Sequence, residues 1–268
     1  MKLHWMEVYG DTSMQGLQKT GKYLTDSQYY SCLLTYHSTR PDFWILCTRI
    51  LNINDTFKYL LAIRTYAISP EYFVAMYKAF DEIQKNRIMF NIVSGDIHPS
   101  EKSIDDIIFG KENFDTIEKR LDYTNEWIKK VFSILDRQKQ VRPEIVMSGS
   151  SEKTLQTASL FADYNLCMLN EYRQDKKKFQ KNKNRMVCVG MTIRKSYEEA
   201  EKFVDNIDCK TDKKWSIFGT EKQILEEIDN LEKDGVTDLL IRNHRGDHQF
   251  ELIHHLVKKY NKSFKKEN

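Results

Sequence analysis

Proline and glycine are scarce in this 268-residue sequence, with 4 and 10 copies. So few chain breakers exclude a fibrous or Pro-rich disordered chain and leave no long Pro-rich linker. Cysteine is sparse too. The five, Cys32, Cys47, Cys167, Cys188 and Cys209, are widely spaced and form no C-x-x-C pair. That supports neither a zinc site nor a disulfide framework and leaves them reading as buried thiols. No apolar run approaches the roughly 18 residues needed to span a bilayer. Residues 1–9 lack the apolar region of a signal peptide, so a cytoplasmic location and no membrane partner are expected. Excess charge of one sign is missing as well: 42 basic against 39 acidic residues leave +3, too little to argue for nucleic acid.

What is present is alternation. Short apolar segments at 3–9, 29–36, 59–63, 88–93, 144–147, 164–169, 186–193 and 238–241 read as eight strands. Helical periodicity falls between them, at 14–24, 41–51, 70–84, 116–135, 150–161, 196–204, 220–231 and 250–260, with a weak Lys-rich helix around Phe179. Pro70 after Ser69 suits a capped helix start. Thr220 opens one helix, and Gly235 lies just past its end. Length alone suggests about two domains, but α/β barrels run to roughly 250 residues as one unit. Eight strand–helix units in one chain fit a single (β/α)8 TIM barrel of the α/β class over residues 1–268. An open doubly wound sheet is the runner-up. No G-x-G-x-x-G turn is present to bind a dinucleotide there, which favours the barrel.

Active sites of such barrels sit at the C-terminal strand ends. The segment Ser148-Gly149-Ser150-Ser151 follows the fifth strand and opens a helix. Unpaired N–H groups, a close-approach glycine and hydroxyls make either a phosphate cradle or a plain helix cap. Asn91 lies among Phe90, Ile92 and Val93. Its buried amide binds a heterocycle or satisfies neighbouring backbone. Arg64, ending the third strand, reaches the mouth or pairs locally. His37 and Arg40 recognise an anion or form a polar loop. No G-x-S-x-G elbow and no H-E-x-x-H helix occur, and His254 and His255 are adjacent, so no metal site is expected.

Taken in order, SCLLTYHSTRPDFWILCTRI, FKYLLAIRTYAISPEYFVAMYKAFDEI, NRIMFNIVSGD, EKRLDYTNEW, IVMSGSSEKTLQTASLFADYNLCML and FGTEKQILEEIDNLEKDGVTDLLI resemble the bacterial luciferase-like flavin-dependent monooxygenases, above all the alkanesulfonate monooxygenase branch. The resemblance covers most of the chain. It implies a barrel holding FMN in its mouth, with Asn91, Ser94 (in place of the usual Thr), Ser148, Gly149, Ser150 and Ser151 as cofactor-binding residues. Ala62 matches a position where the family often has a non-proline cis peptide beside the flavin ring. It also implies a flavin reductase supplying reduced FMN, oxidation of a small-molecule substrate with oxygen, and a homodimer packed through helices near strands two to four.

The sequence departs from that branch. Cys188 and Gly190 stand where it has an Arg and a His, Leu121 replaces a Tyr, and Arg40 replaces a substrate-facing Cys. The insertion between the seventh and eighth strands is shortened to about residues 205–218. Sulfonate cleavage is therefore not carried over. The polar mouth residues left are His37 as a proton donor, Arg40 as an anion clamp and His244, grouped as catalytic, with Tyr36 and Arg64 as substrate contacts. Two other expectations stay open: a catalytically silent flavin-binding barrel or partner subunit of an active homologue, and a deazaflavin in place of FMN.

Overall fold

The computed structural model describes residues 1–7, 14–35, 43–51, 56–94, 116–180, 183–206, 212–243 and 250–264. Its strands, all parallel, are β1 Lys2–Glu7, β2 Ser31–Leu34, β3 Lys58–Ile63, β4 Ile88–Val93, β5 Glu144–Ser148, β6 Tyr164–Met168, β7 Asn184–Ile193, β8 Ser216–Gly219 and β9 Asp238–Asn243. Pairing runs in order from β1 to β7, then β7 to β9 and β9 back to β1. That ring of eight is a closed TIM barrel. The helices are α1 Met14–Asp26, α2 Phe43–Leu51, α3 Pro70–Ile83, α4 Ile117–Arg137, α5 Glu152–Phe161, α6 Leu169–Gln174, α7 Tyr197–Asp205, α8 Glu221–Lys233 and α9 Phe250–Phe264.

The period-2 rule sorts each strand. Tyr59, Leu61 and Ile63 of β3 face the helices, as do Phe90 and Ile92 of β4. Leu60, Ala62, Met89, Val146, Leu166, Met186, Cys188 and Leu240 fill the interior. Helix starts are fixed by side-chain caps. Ser69, Thr116, Ser151, Ser196 and Thr220 each accept from the backbone N–H three residues on. Phe73, Tyr77 and Phe80 of α3 are buried, Phe73 against Phe90 and Trp127, so core packing accounts for them; Tyr72 is exposed.

The N-terminal end of the barrel is closed by polar side chains. His4 bonds Ser31 Oγ at 2.7 Å and Asp238 Oδ1 at 2.8 Å, with all three buried. Below them Lys58 pairs with Glu144, Lys2 Nζ donates to Tyr164 Oη at 3.0 Å, and Tyr164 Oη donates to Glu144 at 3.2 Å. Burial pulls the Lys58 ammonium pKa down. Its bonds to Glu144 and Tyr30 outweigh that and raise it.

The structure departs from the sequence reading in three elements. A ninth strand, β8, pairs with Gly190–Ile193 at the upper end of β7, inside what reads as a shortened insertion. Residues 176–179 form a 3-10 turn, Lys176–Phe179, and the helix before it is the short α6. Finally, no cis peptide occurs among the described residues. Ala62 stays in the trans β3 ladder opposite Asn91, where a non-proline cis bond would cost about 3–4 kcal/mol.

Candidate active site

The C-terminal ends of the strands enclose a cavity of about 580 Å³. Its floor is apolar: Met6 of β1, Leu33 of β2, Ala62 of β3, Leu166 of β6 and Leu240 of β9. Polar groups enter its wall from Thr35 after β2 and from Arg64, Asn91, Ser148, Gly149 and Glu171. An apolar chamber with a few convergent polar groups is the ordinary form of a small-molecule site.

Asn91 is buried mid-strand, and β4–β5 register sets Val93 opposite Ser148. Ser148 Oγ donates to Asn91 Oδ1 at 2.6 Å, fixing the amide's orientation at the cavity wall. Gly149 follows with φ of +133°, a region side chains rarely adopt; an added Cβ would lie 2.9 Å from Thr154 Cγ2. β6 pins this turn: Gly149 N–H donates to Leu166 O at 2.9 Å, and Asn165 Nδ2 donates to Gly149 O at 3.1 Å. Ser151 caps α5, accepting from Thr154 N–H at 3.2 Å. Ser150 Oγ donates to Glu171 Oε1 at 2.5 Å, and Met168 N–H donates to Glu171 Oε2 at 2.9 Å.

The cavity thus brings together Ala62, Arg64, Asn91, Ser148 and Gly149. Ser94, Ser150 and Ser151 are not in its wall. Ser94 is buried beside it; its carbonyl accepts from Arg120 Nε at 3.0 Å, and its Oγ has no hydrogen-bond partner among the described residues. Tyr36, His37, Arg40 and His244 lie outside the described residues. Cys188 lines the cavity, and burial pushes its thiol up to about 12 against a smaller opposing pull from Arg242, so it stays protonated.

Sequence reasoning missed two charged groups, Glu171 and Arg120. Arg120 is buried on α4, visible in sequence only as a basic residue on an amphipathic helix. Glu171 is the third residue of α6, a carboxylate accepting from the backbone at a helix start. That local pattern was its one available signal.

Comparison with models of protein families found no match. Solved structures do match. The long-chain alkane monooxygenase LadA superimposes with a TM-score of 0.77 at 12% identity, covering 98% of this chain and 91% of that one. An F420-dependent secondary alcohol dehydrogenase, solved with an F420-acetone adduct, gives 0.74 at 12% identity, covering 96% and 97%. The oxygenating constituent of 3,6-diketocamphane monooxygenase from the CAM plasmid of Pseudomonas putida, solved with FMN, gives 0.71 at 12%, covering 96% and 96%. At such identity the likeness is one of fold.

A flavin ring fits this cavity in size, floor and the Asn91–Ser148 pair at its side. A phosphate tail does not fit the turn as its side chains stand. Ser148, Ser150 and Ser151 already have oxygen partners, and the partner of Ser150 is a carboxylate.

Proposed function

We propose that this chain is a luciferase-like flavin-dependent oxidoreductase, a single barrel domain that works as a monooxygenase on a small organic substrate. The observation that carries the reading is the half-apolar chamber at the C-terminal mouth, in a barrel whose structural neighbours include enzymes solved with FMN and with an F420 adduct. When bound, a reduced flavin would supply the electrons for oxygen activation. The chain's own part is to seat the ring on Leu33, Ala62 and Leu240 and to orient it through Asn91. Arg64 would hold an anionic or carbonyl oxygen of the substrate, while Met6 and Leu166 keep water out. A separate reductase would deliver the reduced flavin, and Tyr36, His37, Arg40 and His244 would complete the site.

Titrating oxidised and reduced flavins against the protein tests this reading. Quenched flavin fluorescence and a raised melting temperature are expected at micromolar ligand. No change in either at high micromolar concentration overturns it.

A second reading, a silent flavin-binding barrel, is favoured by one observation. The cavity wall contains Cys188, held as a neutral thiol, and no histidine among the described residues. Oxygen consumption by reduced flavin separates the two. An active oxygenase alters its rate relative to free flavin, and a silent barrel leaves it unchanged.

A further inference from the structure

The carboxylate of Glu171 occupies the place the Ser148–Ser151 turn would give to an anion. Its two oxygens are both engaged, one by Ser150 Oγ at 2.5 Å and the other by Met168 N–H at 2.9 Å. The first distance is typical of an O–H···O⁻ bond, which is charge-assisted. Glu171 is also in the wall of the mouth cavity, so the negative charge faces the ligand space.

Two of the cations near the turn are committed elsewhere, and a third, Arg64, stands at the end of β3 in the same cavity wall. Arg120 donates to Ser94 O, and Lys153, at the start of α5, pairs with Asp122 at 2.6 Å. Ser148 Oγ spends its proton on Asn91, and Ser151 Oγ accepts from Thr154 N–H at the helix cap and shares a hydrogen bond with Thr154 Oγ1. A dianionic phosphate entering here would lose the Ser150 donor to Glu171 and meet a like charge.

We infer that Glu171 is a specificity-determining residue that bars a phosphate-tailed ligand from the Ser148–Ser151 turn, so the mouth takes a flavin with a neutral tail in preference to FMN. This rests on the flavin reading above and sharpens it. The turn carries the composition of a phosphate cradle, but the chain fills that cradle itself.

The test is a fluorescence titration of riboflavin and FMN against wild type and Glu171→Gln. Glutamine removes the charge and keeps one acceptor oxygen for Met168 N–H, while its Nε2 donates to Ser150 Oγ and so frees the Ser150 proton for an incoming phosphate. Wild type is expected to bind riboflavin at least tenfold more tightly than FMN. Glu171→Gln is expected to move that ratio at least tenfold towards FMN, with its melting temperature and far-UV circular dichroism recorded as the control for folding. Glu171→Ala, with its melting temperature recorded, serves as the second variant. A wild-type preference for FMN, or a ratio that both variants leave in place, overturns the inference.

Orthophosphate is the independent probe, read by 31P line broadening. Glu171→Gln gains phosphate binding that wild type lacks. If no flavin binds any variant, the flavin reading fails and this arm alone decides. Phosphate binding gained only on removing the charge upholds the role of Glu171, and equal binding or none in both proteins rejects it.

Discussion

A histidine sealed among aromatic rings binds its proton poorly. His254 packs against Phe250 at 4.0 Å, Trp5 at 4.9 Å, Tyr29 at 5.3 Å and Tyr23 at 5.4 Å, and neither ring nitrogen has a hydrogen-bond partner among the described residues. Burial pushes it down to about 3 from 6.5. The unfolded chain takes up this proton as pH falls through about 6.5, and the folded chain does not until about 3. The stabilisation from a neutral His254 is therefore complete above about 6.5 and lost progressively towards 3, by up to about 5 kcal/mol. Urea midpoints across that range should fall steeply in wild type and less steeply in His254→Leu. Equal slopes would refute the assignment. In sequence this histidine read only as one of an adjacent pair, because the cage comes from β1, α1 and the chain before β2. Arg120 and the Ser150 contact of Glu171 were hidden for the same reason: these partners lie 26 and 21 residues away. Asn91 and the serine turn were legible because strand and turn chemistry are local.

At the scale of elements, the eight ring strands could be read from short apolar segments, and the helix starts at Ser69 and Thr220 from cap chemistry. β8 could not. It has four residues, of which only Ile217 and Phe218 are large and apolar, and it forms by extending the sheet along β7. α6 was hidden because it begins where the apolar run of β6 ends. The β5–α5 junction separates capping from ligand contact. Ser151→Ala should cost about 1 kcal/mol of stability by removing the cap and leave flavin affinity within about twofold. Gly149→Ala should cost about 1–3 kcal/mol through its backbone conformation and also weaken the ligand. Denaturant melts paired with titrations measure both; an equal loss of affinity in the two variants would contradict this division.

For the whole molecule, closure of the ring depends on β9 meeting both β1 and β7, and the His4–Asp238 bond spans the β1–β9 seam. Asp238→Ala leaves the buried His4 ring without that partner and should lower stability by about 1–3 kcal/mol. The mouth is at the other end, so ligand titration should be unaltered. Denaturant unfolding checks the first outcome, and a loss below about 0.5 kcal/mol, the range of an ordinary surface change, contradicts it.

The polar plug of Lys2, Lys58, Glu144 and Tyr164, with Leu60, Met89, Val146 and Met186 packed above it, makes the barrel a blind-ended vessel. Whatever settles on its floor must arrive before anything that rests on top and depart after it. Kinetics with two ligands should then obey a compulsory order of addition, imposed by the shape of the container.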